Sequence, residues 1–129
     1  MKKDIENRGD LDLMLSAFYE KALKDDLIRH FFLSVVPLDL HHHLPLITDF
    51  WESVLLNKGG YRKNVMEVHL DINQKSSIEP EHLARWVSLF TGTVDGLFEG
   101  PRALLAKQRA QSIATMMGIK IAQKNALQL

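Results

Sequence analysis

Along this chain the apolar residues recur at steps of three and one, the period of a single helical face, and nowhere alternate as a half-buried strand requires. The first such stripe is Leu11, Met14, Leu15, Phe18, Tyr19, Ala22 and Leu23. A second runs through His43, Leu46, Ile47, Phe50, Trp51, Val54 and Leu55, and a third through Leu83, Trp86, Val87, Phe90, Val94, Leu97 and Phe98. A fourth is built of smaller residues: Ala103, Ala106, Ala110, Ile113, Ala114 and Met117. Four amphipathic stripes with no strand signal predict an all-α domain whose helices bury one face each.

The helix ends are partly legible. Asp10 or Asp12 can cap the first helix, and "KDDL" (24–27) closes it. Pro45 suits a first helical turn in the second, and Pro80 the first turn of the third, near "SIEPEH". Gly59 and Gly60 break the pattern, and "EGP" (99–101) separates the third helix from a last one over about 102–120 or beyond. Between Tyr61 and Ser77 the pattern is mixed, with Val65, Met66, His69 and Ile72 sharing a face if two helical turns form. At 129 residues and 46% apolar, the chain suits one domain over 1–129, with 1–9 a flexible N-terminus and 122–129 a loose C-terminus.

Composition removes several function classes. Sixteen basic and sixteen acidic residues give no net charge, which disfavours a nucleic-acid binder. No cysteine is present, which excludes disulfides, thiolate nucleophiles and zinc–cysteine sites. The polar start "MKKDIENRGD" is unlike a signal peptide, and no apolar run reaches the ~18 residues of a membrane span, so a cytoplasmic protein is expected.

Four polar-tipped residues fall on the apolar stripes: Tyr19, His43, His69 and Trp86. Each has a bland reading as ordinary core, with its polar tip satisfied locally. Four from four separate segments also describe an apolar pocket with a few convergent polar groups. The run His41–His43 cannot turn three adjacent side chains onto one ion from a helix, so His43 is read as inward and its neighbours as surface. A di-iron bundle needs several inward carboxylates; only Glu79–His82 has the Glu-x-x-His spacing. No nucleophile motif supports a hydrolase. A haem site needs one neutral histidine and an apolar cleft, and His69 suits the ligand position.

The pieces "FYEK" (18–21), "HLP" then "FW" (43–45, 50–51), "LL" then "Y" (55–56, 61), "HL" (69–70), "RWVSLF" (85–90), "TVD" (93–95), "AKQRA" (106–110) and "IA" (113–114) occur in an order and spacing that resembles the group III truncated haemoglobins of bacteria. The resemblance spans about 10–117 and implies a shortened globin fold, a two-over-two helical sandwich around haem b. It implies His69 as proximal iron ligand, Tyr19 as distal hydrogen-bond donor, Trp86 as distal tryptophan and His43 as a distal-helix histidine that contacts ligand or gates its entry. It further implies Phe32 packed on the haem and Ile47 lining its distal side, with Phe50 of the same stripe a further contact. The sequence departs from the pattern at Lys63 and Val65, where glycine and proline are common, and at Leu46, where related globins often carry a basic residue facing a propionate. Tyr61, Lys63 and Arg85 are therefore the candidate propionate partners.

The function this resemblance implies is reversible binding of dioxygen and other diatomic ligands, in nitric oxide dioxygenation or related detoxification rather than bulk transport. A hydrogen bond to a charged group contributes about 1.5–3 kcal/mol, so two donors would hold dioxygen too tightly for simple delivery. An external reductase is the expected electron source. Two alternatives remain open at this level: a peroxidase-like enzyme on the same haem, and a helical interaction module without haem in which the inward polar residues are core.

Overall fold

The computed structural model describes residues 2–31, 40–57 and 78–127, with the side chains of 40–43 and 124–127 not among them. The described residues form four helices and no strand: α1 (Arg8–Ala22), α2 (Leu40–Leu55), α3 (Pro80–Leu97) and α4 (Pro101–Leu127). Helix α3 packs on α4 and α1 on α2, and the two pairs face each other through α1 against α3 and α2 against α4.

The helices bury most of the stripes read from the sequence, but Leu46 of α2 is 44% exposed and Thr48 is buried in its place. Leu11, Met14, Leu15, Phe18, Tyr19 and Ala22 of α1 are buried, as are Ala103, Ala106, Ala110, Ala114, Met117 and Ile121 of α4. The small α4 residues bring its backbone close to α3, which shares more of its length with α4 than any other pair. Among the described residues no buried side-chain polar atom lacks a hydrogen-bond partner. Thr48, fully buried on α2, shares its hydroxyl proton between Asp12 Oδ1 and the Leu44 carbonyl, both at 2.9 Å.

Several ends differ from the sequence-based expectation, each for a local reason. Helix α1 starts at Arg8, ahead of Asp10, because Asn7 is the cap: its Oδ1 accepts from Asp10 N at 3.0 Å. Asp10 sits in the first turn instead, where its carboxylate accepts from Glu6 N (2.9 Å) and Lys3 Nζ (2.7 Å). Pro45 lies inside α2 rather than in its first turn. There it withholds the N–H that would meet the His41 carbonyl, while Arg8 Nη2 of α1 donates to its own carbonyl at 3.3 Å. Helix α2 stops at Leu55, before the glycine pair, and Asn57 takes the left-handed conformation (φ 57°) that asparagine tolerates.

The residues ahead of α1 also pack against the start of α4. Ile5 is fully buried. Asp4 caps α4 from the far end of the chain, with Oδ1 accepting from Ala103 N (2.9 Å) and Oδ2 from Arg102 N (3.0 Å). Arg102 Nη1 returns a bond to the Ile5 carbonyl, and Glu99 N donates to the Lys3 carbonyl. The residues before α1 are held by the helix dipole and amides of α4, which no local pattern could indicate. Helix α4 itself runs beyond Lys120, through Leu127.

Candidate functional site

The C-terminal halves of α1 and α2 and the middle of α3 meet in a continuous run of aromatic rings. Phe18 of α1 is its hub. Tyr19 lies edge-on to it (centroids 5.2 Å, 67°), as do Trp86 (6.4 Å, 88°) and Phe90 (5.7 Å, 68°) of α3. Phe90 in turn stacks on Trp86 (6.0 Å, 24°) one helical turn earlier and on Trp51 of α2 (5.0 Å, 18°). Phe50 closes the run edge-on to Trp51 (5.3 Å, 81°). Such edge and stacked geometries are the favoured ones for ring quadrupoles.

Two of these rings carry donors. Tyr19 is 6% exposed, and burial pushes its phenol well above the usual tyrosine range. The hydroxyl is therefore protonated and able to donate at neutral and mildly alkaline pH. Trp86, half-buried against the core, carries an indole N–H that can only donate. An O–H and an N–H on an apolar wall are the donors that a small ligand bearing negative charge would use, and none of the described rings of this wall is a nucleophile or general base.

Beside this wall stands an ion pair. Arg85 Nε donates to Asp25 Oδ2 at 2.6 Å, and Asp25 Oδ1 accepts from Leu27 N (3.0 Å) and Ile28 N (3.3 Å). Burial alone would raise the Asp25 carboxyl, but the Arg85 bond, the two backbone bonds and the Arg85 charge outweigh it and hold the group below the usual aspartate value. Its side chain is 5% exposed, whereas that of Arg85 is 48% exposed.

The residues expected from the sequence fall into three groups. Tyr19, Trp86 and Phe50 join the aromatic run, and Ile47 is partly buried against the same core. Arg85, expected near a propionate, has its Nε on Asp25, a carboxylate of the chain itself. His69, Phe32, Tyr61 and Lys63 lie outside the described residues, as does the side chain of His43, although its backbone is helical and in register with Ile47 and Phe50. Among the described residues no three histidine or carboxylate side chains converge to hold a metal ion. The Glu79–His82 pair serves the α3 N-terminus: His82 Nδ1 accepts from Glu79 N at 2.9 Å.

Asp25 was legible only as part of a helix-ending "KDDL", and its partner is sixty positions away, so no spacing signals the pair. Phe90 and Trp51 were visible as stripe residues, but their stacking across α2 and α3 was not.

With this geometry in view, comparison with solved structures finds a group III truncated hemoglobin from Campylobacter jejuni, at a TM-score of 0.80 and 26% sequence identity over 94% of this chain and 95% of that one. The fold is thus the all-helical truncated globin fold, as the sequence motifs implied. No family model matches the chain, and no curated protein sequence matches it. Among the described residues no helix is long and apolar enough to cross a membrane.

Proposed function

We propose that this chain is a haem b protein that binds dioxygen and other diatomic ligands and consumes them in nitric oxide dioxygenation or related detoxification. The observation that carries the reading is the buried Tyr19 hydroxyl and the Trp86 indole sharing the Phe18 ring on a truncated globin fold. That donor set fits the ligand side of a haem: apolar walls to exclude water, and two groups that donate without being able to accept a proton from it. His69 is the proposed iron ligand, Phe32 a proposed haem contact, and Tyr61 and Lys63 are proposed propionate partners.

Haem, when bound through one histidine, supplies an iron with one open position for a diatomic ligand. The remaining tasks fall to the chain. Tyr19 O–H and Trp86 N–H hydrogen-bond the outer atom of a ligand carrying partial negative charge. Phe18, Phe90, Ile47 and Phe50 keep the surroundings dry, so each bond is stronger than it would be in water. His43, one turn before Ile47, contacts the ligand or controls its entry. In the net reaction, one nitric oxide and one dioxygen take one electron to give one nitrate, and an external reductase supplies that electron.

The test is haemin titration of the purified chain, followed by absorption spectra of the ferric, ferrous and ferrous–carbon monoxide forms and stopped-flow mixing of the oxygenated protein with nitric oxide. The reading expects one haem per chain, loss of normal five-coordinate binding in His69→Ala, and nitrate as product. A chain that ignores haemin refutes it. Uptake of haem with no reaction toward nitric oxide, but turnover of peroxide against a donor dye, would replace the dioxygenase role with a peroxidase one.

A further inference from the structure

We infer that the ion pair of buried Asp25 with the more exposed Arg85, which joins the end of the Tyr19 helix to the residue beside Trp86, is a positioning device that sets the separation of the two distal donors and so the rate at which a bound ligand escapes. The inference rests on the proposed haem site and adds residues to it.

Asp25 is coupled to Tyr19 through the backbone. Leu23 N donates to the Tyr19 carbonyl (2.9 Å) and Asp25 N to the Ala22 carbonyl (3.2 Å), so the exit of α1 is hydrogen-bonded without a gap from Tyr19 to Asp25. The Asp25 carboxylate then closes the following turn through Leu27 N and Ile28 N, which removes its own freedom to swing. Its second oxygen holds Arg85 at 2.6 Å. Arg85 and Trp86 are consecutive on α3, so their side chains leave the helix about 100° apart: one reaches the Asp25 corner while the other lies against Phe18. A grip on the first fixes the rotation of the helix that aims the second.

Leverage decides why this matters. A helix side-chain tip lies about 6 Å from the axis, so a rotation of only ~10° moves it about 1 Å. A hydrogen bond stretched by that much is close to lost. The Phe18 and Phe90 contacts of Trp86 are edge and stacked ring contacts, which tolerate sliding, whereas the short charged bond from Arg85 does not. The two donors thus keep their spacing through a polar contact that involves neither donor.

The experiment compares Asp25→Asn, Arg85→Gln, Arg85→Lys and the double variant Asp25→Asn/Arg85→Gln with the wild-type full chain, all loaded with haem. The Asp25→Asn side chain keeps an oxygen for the turn amides but presents an amide donor or a neutral oxygen to Arg85. Three quantities are read: the dioxygen release rate, the Fe–CO stretching frequency of the carbon monoxide form, and the rate of haem loss. The pair predicts release about 3- to 10-fold faster in Asp25→Asn and Arg85→Gln, a fraction of what one whole donor is worth. It predicts the same direction of shift in the Fe–CO stretch for both, no further change in the double variant, and partial recovery in Arg85→Lys.

Wild-type release and stretch in haem-loaded Asp25→Asn and Arg85→Gln overturn the inference. So does fast haem loss in Arg85→Gln with none in Asp25→Asn, which would make Arg85 a propionate partner. If Asp25→Asn does not fold, the two Arg85 variants, which leave both turn bonds in place, decide the question. A wild-type chain that takes up no haem refutes the proposed function itself, and does so before any variant is made.

Discussion

Replacing Tyr19 with phenylalanine deletes one oxygen and leaves the ring, which makes it a clean measure of the proposed hydroxyl role. The ring is 6% exposed and sits edge-on to Phe18 at 5.2 Å, contacts that phenylalanine keeps. No cavity larger than a hydroxyl results, so the effect on folding is about 1 kcal/mol or less. The effect on a bound ligand is different in size. A hydrogen bond to a charged partner contributes about 1.5–3 kcal/mol, and at ~1.4 kcal/mol per decade its loss speeds dioxygen release roughly 10- to 100-fold. Because burial raises the Tyr19 phenol above its ordinary value, the neutral, donating form persists through neutral and mildly alkaline pH. The ratio of variant to wild-type release rates is accordingly flat with pH over that range. The assay is stopped-flow displacement of dioxygen by carbon monoxide on the ferrous protein at several pH values. A release rate within about twofold of wild type, with a normal Soret band, would remove Tyr19 from the ligand and return it to the core.

Three further outcomes follow from the packing. Phe90, stacked between Trp51 and Trp86, is 1% exposed, and Phe90→Ala should cost about 3–5 kcal/mol by chemical denaturation; a loss under about 1 kcal/mol would mean the stack collapses without strain. Gly100→Ala meets two obstacles, a backbone at φ +145° and a new Cβ only 2.6 Å from Asp4 Cγ, an atom pinned by two bonds to the α4 amides. It should lower stability by about 1–3 kcal/mol, and an unchanged thermal midpoint would argue against this N-terminal docking. Asp25 has a folded-state pKa below its unfolded value of about 3.9, so its stabilisation is fully present above that value and is lost as pH falls through the lower, folded one. Asp25→Asn should therefore be less stable than wild type by about 1–2 kcal/mol at neutral pH, discounted for the exposed Arg85, with the gap closing below about pH 4; a gap that is constant into acid would show that the charge is not what stabilises.

The order of helices, their buried faces and the capping proline of α3 could be read from residue spacing, because helix periodicity and capping act over three or four positions and need no partner from elsewhere. The same locality made Tyr19 and Trp86 visible as polar tips on apolar stripes, and let helical phase separate His43 from His41 and His42. The motif resemblance supplied the fold class ahead of the structure, since motif order survives where overall identity is low. Spacing could not say which faces meet. Phe18 as hub, Phe90 between two tryptophans, Asp4 capping α4 and Asp25 holding Arg85 all join positions far apart in the chain, and each depends on helix angles and distances that arise only when the four stripes pack together. Arg85 shows the difference most plainly: by sequence it was a basic residue available to a cofactor, and tertiary packing gave it a buried carboxylate within 2.6 Å.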